Sequence, residues 1–492
     1  MIRTIAGVLG PALAARPDAP AVTAGSGTLS YRQLDEAADR AAGAMWQAGV
    51  RPGDRIAACL PNDLDIVAAF HGSQRVGAIW VGISEGFTAP EQEALAGLAE
   101  PVLVIAGPRA RLDGPAVVSI EEWRRKTASA APPPRPVIDP HAPAAIAYTS
   151  GTTGTPKGIV HSQWNMVLPG QVLVRTRSWG PELRKGDCLA LTLLNMQVLT
   201  TLVTAQAGGC CVLTGRRDIA GICEWIAAEH VSVWNGVPAH FYDLLRQPAL
   251  ELAGLTEAWC GGSACPEQLR QELADVGPIP VCGTYGLTEA PTVVAIDPAD
   301  GRSRPGTSGR VLPHLDVAAY DDDRRLSAGQ TGELRISPAR SGPWAGMWRP
   351  ALGEWQAGTV SPAAGIPFPT GDIGSVDADG WLRVVERKKL IILRGGANVY
   401  PAEVEGVIRQ HPAIAAAAVF GVPDARLGEA VAALVQLRFP VDRHDLEELC
   451  RQRLARYKVP ERWGVVDELP ANAMGKIIRS GLPGLLDRAR PA

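Results

Sequence analysis

From Ala21 onward, short apolar runs rich in β-branched residues alternate with stretches whose apolar positions recur at helical spacing. Residues 55–60 (RIAACL) read as a buried strand, 63–75 as a helix and 78–81 (AIWV) as the next strand; 89–98 read as a helix and 101–106 (PVLVIA) as a strand. This alternation predicts parallel sheets covered by helices. Residues 126–143 are rich in Pro and Ala without periodicity and predict a surface connector, which ends before a buried strand at 144–148 (AAIAY). A second alternating series runs from Cys188 to about Ile296, with strands at 231–234, 255–260 and 279–283. After Gly306 short strands with Gly and Asp turns predict a small β subdomain. From Arg387 the pattern starts afresh: a strand at 390–394, a helix at 401–411, strands near 415–420 and 430–436, a helix at 442–454 and a last strand near 462–466.

Composition narrows this picture. The chain has 492 residues, 46% hydrophobic and 20% charged, ordinary globular proportions for about three structural units. A net charge of −3 gives no basic excess that would advertise nucleic acid or an anionic membrane as partner. Nine cysteines are scattered without a CxxC pair and without clustered histidines, so they read as reduced thiols in a cytoplasmic protein rather than as disulfides or zinc ligands. Residues 188–215 carry no charge, yet Asn195, Gln197, Gln206 and five threonines would be costly in lipid. They predict a strand, helix and strand of an α/β core. The first fifteen residues read as an amphipathic helix rather than a secretory signal.

The stretch with most chemistry is 148–158, YTSGTTGTPKG. A hydrophobic strand runs into a Ser/Thr/Gly loop closed by Lys157, and such a loop can wrap N–H groups and hydroxyls around phosphate oxygens. It is not a Walker A loop, since Pro156 precedes the lysine and Gly158 follows it. No Ser/His/Asp arrangement is evident.

YTSGTTGTPKG resembles the signature loop of the acyl-adenylate-forming superfamily, which includes acyl-CoA synthetases, luciferases, amide-forming ligases and the adenylation domains of peptide synthetases. GTYGLTEA (283–290), TGDIG (370–374), ERKKLIILRGGANVYPAEVE (386–405) and PANAMGKIIR (470–479) match later motifs of that family in order. The resemblance implies an α/β fold: a large N-terminal domain, 1–386, of two α/β subdomains with parallel-rich sheets plus a small β subdomain, and a small mobile α+β domain, 387–492. It implies attack of a carboxylic acid on the α-phosphate of Mg-ATP, giving an acyl-adenylate and pyrophosphate, and then displacement of AMP by a second nucleophile. Catalysis would be positioning and charge stabilisation.

The resemblance also implies roles. Thr149, Ser150, Gly151, Thr152, Thr153, Gly154 and Lys157 would hold the β- and γ-phosphates, Thr288 would touch the α-phosphate, and Glu289 would ligate Mg2+. Asp372 would accept from the ribose hydroxyls, and Arg387 would add a nucleotide contact. Tyr285, Gly286 and the stretch Gly261, Gly262, Ser263 and Ala264 would enclose the adenine. Lys476 would reach the carboxylate and phosphate of the forming adenylate, and Lys389 would be the hinge about which the small domain turns. Asn195, Gln197, Trp234, Gly236, Val237 and Gly261 would wall the acid pocket. Many acyl- and aryl-CoA ligases carry a His after a Pro-Leu-Phe-like run; here the run is 191–200 (LTLLNMQVLT), with Asn195 in the place of that His. No Asp lies between Asp187 and Asp218, which argues against an α-amino acid. The expected acceptor is the thiol of coenzyme A, with a free amine as the alternative and a separate carrier protein as a third. The chain ends sixteen residues beyond Lys476, so a freestanding enzyme is expected.

Overall fold

A computed structural model describes residues 1–149, 156–247, 252, 254–262, 265–276, 279, 281–356, 358–395, 397–471 and 477–490. They form two compact units, Met1–Asp316 with Ser337–Phe368, and Val317–Ile336 with Pro369–Ala492.

The first unit holds two large sheets. An eight-stranded sheet runs in the order Thr359–Pro362, Gly353–Gln356, Lys157–Ser162, Pro143–Thr149, Ile79–Gly82, Arg55–Cys59, Leu103–Ala106, Val117–Ser119. Its last five strands are parallel, and the strands predicted at 55–60, 78–81, 101–106 and 144–148 are its centre. The expected connector is shorter than predicted, because a helix, Ile120–Ser129, capped by Ser119, occupies its beginning.

A nine-stranded sheet runs Arg310–Val311, Thr292–Ile296, Val281–Leu287, Glu257–Cys260, Val233–Gly236, Arg184–Asp187, Cys210–Leu213, Pro20–Ala24, Gly27–Ser30. Six neighbouring strands in its middle, from Val281–Leu287 to Pro20–Ala24, are parallel. Successive side chains alternate between faces. Cys210, Val212, Trp234, Ala258 and Cys260 pack on one face against Ile222, Trp225, Phe241, Leu244, Leu269 and Leu273. Here the structure departs from the sequence reading. The central strand is not at the start of the uncharged run but at Arg184–Asp187, and residues 194–207 are helical, with a π-helix at Gln197–Leu202 between short α-helices.

The second unit contains most of a five-stranded sheet, ordered Arg324–Arg325, Leu315–Asp321, Gly332–Pro338, Phe368–Val376, Leu382–Arg387. It also contains an antiparallel pair, Ile414–Asp424 with Gly428–Leu437, onto which Arg462–Val466 adds in parallel. Helices Pro401–Ile408 and Arg443–Arg453 cover one face of it through Val404, Ile408, Leu446 and Cys450. Strand Leu382–Arg387 passes through one 3-10 turn, Lys388–Leu390, into Ile392–Arg394, and the Glu386 carboxylate accepts from the Ala402 N–H at 2.8 Å. That contact joins the small β-sheet to the C-terminal helices.

Candidate active site

The site residues of the first unit gather at the carboxyl ends of parallel strands, the edge at which open α/β sheets bind ligands. Thr149 ends one strand and pairs with Lys157 on the next, Tyr148 with Gly158; residues 150–155, with Ser150, Gly151, Thr152, Thr153 and Gly154, lie outside the described residues. Gly158 is required for packing: a Cβ there would meet Ile146, Tyr148 and Trp355 at 2.9–3.1 Å. Lys157 Nζ donates to both carboxylate oxygens of Glu354 at 2.9 and 3.1 Å. Glu354 escaped the sequence reading; its strand is the antiparallel neighbour of the lysine strand, a pairing with no local signal.

Thr288 and Glu289 occupy the turn between Val281–Leu287 and Thr292–Ile296. The Glu289 carbonyl accepts from the Ala351 N–H at 2.9 Å, and buried His161 lies beside the Thr288 backbone. Burial holds the His161 imidazole at about 4, so it is neutral. The register slips between Tyr285 and Gly286, a bulge of the kind that re-aims side chains. Opposite it Thr292 has φ +71°, a strained value for a β-branched residue. A Cβ on Gly286 would come within 1.7 Å of the Thr292 carbonyl oxygen, so this glycine is fixed by the hairpin itself. Gly261 donates its N–H to the Gly236 carbonyl at 3.1 Å, and a Cβ on it would strike Thr284 Oγ1 at 2.5 Å. Gly262, at φ +81°, follows; Ser263 and Ala264 lie outside the described residues.

The expected acid-pocket residues divide by face. Trp234 is fully buried in the apolar core, tilted against Phe241 and stacked on His240 at 5.7 Å. Gly236 closes the strand and Val237 caps the helix Pro238–Leu244. Asn195 is half-buried, and Gln197 is fully buried at the start of the π-helix, its Oε1 accepting from Thr201 at 3.1 Å and its Nε2 without a partner among the described residues.

In the second unit Asp372 and Arg387 are cross-strand partners, and the Arg387 Nε contacts the Asp372 carboxylate at 2.6 Å. Asp372 is buried and Arg387 half-exposed. Gly371 has φ +71°, so a residue with a side chain would be strained there. Lys389 sits exposed in the 3-10 turn Lys388–Leu390. Lys476 lies outside the described residues. No group of three or more His, Cys, Asp or Glu is placed to cage a metal among the described residues. A lone carboxylate such as Glu289 fits Mg2+ that arrives on a nucleotide, since this ion keeps water and phosphate oxygens as its other ligands. Among the described residues no helix is long and apolar enough to cross a membrane.

Comparison with known proteins identifies the family. Residues 11–341 match the AMP-binding enzyme family and residues 403–476 the AMP-binding enzyme C-terminal domain. The chain is 34% identical to a feruloyl-CoA synthase from Amycolatopsis sp over 94% of its length and 95% of that protein. It is 30% identical to an indoleacetate–CoA ligase from Aromatoleum aromaticum over 94% of both. It superposes on ATP-bound MatB from Rhodopseudomonas palustris with a TM-score of 0.87 at 25% identity, over 99% of both chains. With the signature loop, the later motifs and both domain matches in one chain, the protein belongs to the AMP-binding enzyme family, within the acyl-adenylate-forming superfamily.

Proposed function

We propose that this protein is an ATP-dependent, AMP-forming carboxylic acid–CoA ligase. The observation that carries the reading is similarity at 30–34% identity, over 94% of the chain, to two proteins named as acid–CoA ligases. The carboxylate is its own nucleophile toward the α-phosphate, so the chain has only to orient it and to stabilise charge. Lys157 and the 149–154 loop hold the β- and γ-phosphates, and on arrival of ATP the lysine exchanges Glu354 for phosphate oxygens. Thr288 orients the α-phosphate, and Glu289 would hold Mg2+, whose charge would offset that of the phosphates. Asp372 accepts from the ribose hydroxyls, with Arg387 beside it; Tyr285, Gly286 and Gly261 to Ala264 enclose the base. Asn195, Gln197, Gly236 and Val237 wall the acid pocket, and Trp234 supports that wall from the core side. Lys476, carried by residues 387–492 turning about Lys389, bridges carboxylate and phosphate during adenylation.

The test is mass spectrometry of products formed from Mg-ATP and a panel of aliphatic, aromatic and heterocyclic acids, with CoA, with amines or with neither. Thioesters formed only with CoA establish the ligase and name its acid; amides without thioesters overturn it. Lys476→Ala is expected to slow adenylation by about 10²–10³-fold, as loss of one preorganised donor does, and to leave thioester formation from supplied acyl-adenylate much less affected.

A further inference from the structure

The face of the nine-stranded sheet opposite its apolar core is polar at its centre. Asp187, Asn235, Trp259 and Cys282 stand side by side on four neighbouring parallel strands; Lys185 and Glu257 lie one pleat earlier. Lys185 is fully buried, donates to Asn235 Oδ1 at 2.9 Å and lies over the Trp259 ring at 4.0 Å. Asn235 Nδ2 donates to Asp187 Oδ2 at 2.9 Å. The same carboxylate oxygen accepts from Thr200 Oγ1 at 2.7 Å, and its other oxygen accepts from the Leu189 N–H at 2.8 Å. A buried amide therefore bridges a buried cation and a buried anion, and the anion grips one residue of the π-helix.

The grip falls where it matters for geometry. Gln197–Leu202 winds with one residue more per turn than an α-helix, and returning it to α-helical winding would swing one side of the wall by about 100° relative to the other. Thr200 is inside that turn, three residues after Gln197 and directly before Thr201, which bonds the Gln197 carbonyl at 2.6 Å. We propose that Asp187, Asn235 and Lys185 are positioning residues that hold the π-helical wall of the acid pocket in phase through Thr200. The inference rests on the reading of that segment as the wall. It makes a charged relay that touches no substrate a determinant of which acid is accepted.

The experiment uses the full-length enzyme, Mg-ATP and the panel acid it turns over best, with Thr200→Val, Thr200→Ala, Thr200→Ser and Gln197→Ala. Thr200→Val is expected to raise KM for the acid about tenfold or more, the effect of losing one buried bond to a charged group, and to change the ranking of panel acids. KM for ATP should stay within twofold, and Thr200→Ser should recover most of the loss. Thr200→Ala carries the same expectation should the valine variant not fold. Unchanged acid KM and ranking in folded Thr200→Val or Thr200→Ala, beside an altered Gln197→Ala, overturns the relay and leaves the wall reading intact. No change in either position overturns both.

Discussion

The two large sheets of the first unit solve the same packing problem in opposite ways. The central strands of the eight-stranded sheet are apolar on both faces, as in Ile79–Gly82 and Leu103–Ala106, and burial alone holds them. The nine-stranded sheet is apolar on one face and at its centre carries Lys185, Asp187, Asn235 and Glu257 on the other, all buried. The first kind of strand is held by area removed from water and tolerates exchange of one apolar side chain for another. The second is held by mutual satisfaction of polar groups, so its members stand or fall together.

Breaking the polar row should have the largest effect. Asp187→Ala removes one of the two carboxylates, Asp187 and Glu257, that act on buried Lys185, takes away the acceptor of Asn235 and Thr200, and is expected to lower stability by about 3–5 kcal/mol, read as a shift of the urea midpoint followed by tryptophan fluorescence. The double variant Lys185→Met with Asp187→Leu should recover part of this, because an apolar pair replaces the charges, without recovering acid affinity. In the apolar sheet Ile146→Ala should lose about 2–5 kcal/mol by leaving a cavity. Were Asp187→Ala to prove no worse than a single methyl deletion, the contrast between the sheets would fail.

Acid should act on the eight-stranded sheet through His161. Its folded-state value of about 4 lies below its unfolded value of 6.5. The stabilisation it supplies is therefore complete above 6.5 and is lost as pH falls toward 4. At pH 5 that is about 2 kcal/mol by the conversion of 1.36 kcal/mol per unit. His71 and His314, both held near 3 by burial, add to the same limb, so His161→Asn should flatten the melting-temperature profile between pH 6.5 and 4 only in part. Ile56→Val, in the same sheet, should lose only about 0.5–1.5 kcal/mol at any of these pH values.

Legibility in the sequence follows the same contrast. Residues 55–60, 78–81, 101–106 and 144–148 announce their strands because burial on both faces demands apolar runs. Arg184–Asp187 was invisible. RKGD is a polar tetrapeptide with a central glycine and reads as a turn, because the strands it pairs with, Cys210–Leu213 and Val233–Gly236, and the side chains that satisfy it, Asn235 and Thr200, all come later in the chain. The one local signal was the alternation of Lys185 and Asp187 about Gly186, where a Cβ would meet Trp225 and Val231 at 2.6 Å. The site motifs were legible because a fixed run of residues must surround a nucleotide. Glu354 was not, because nothing near it in the chain records that its strand lies beside Lys157.

The ion pair between Lys157 and Glu354 also separates two tasks that the signature motif joins in one stretch of text. The lysine rises from a strand and rests on a carboxylate of the next strand, both partly open to solvent, where such a pair is worth at most about 1 kcal/mol. Its resting place is therefore set by the sheet and not by the loop that precedes it. The carboxylate acts as a holster: a contact this weak keeps the cation near its work without holding it back, and a trianionic or tetraanionic chain of phosphates can empty it.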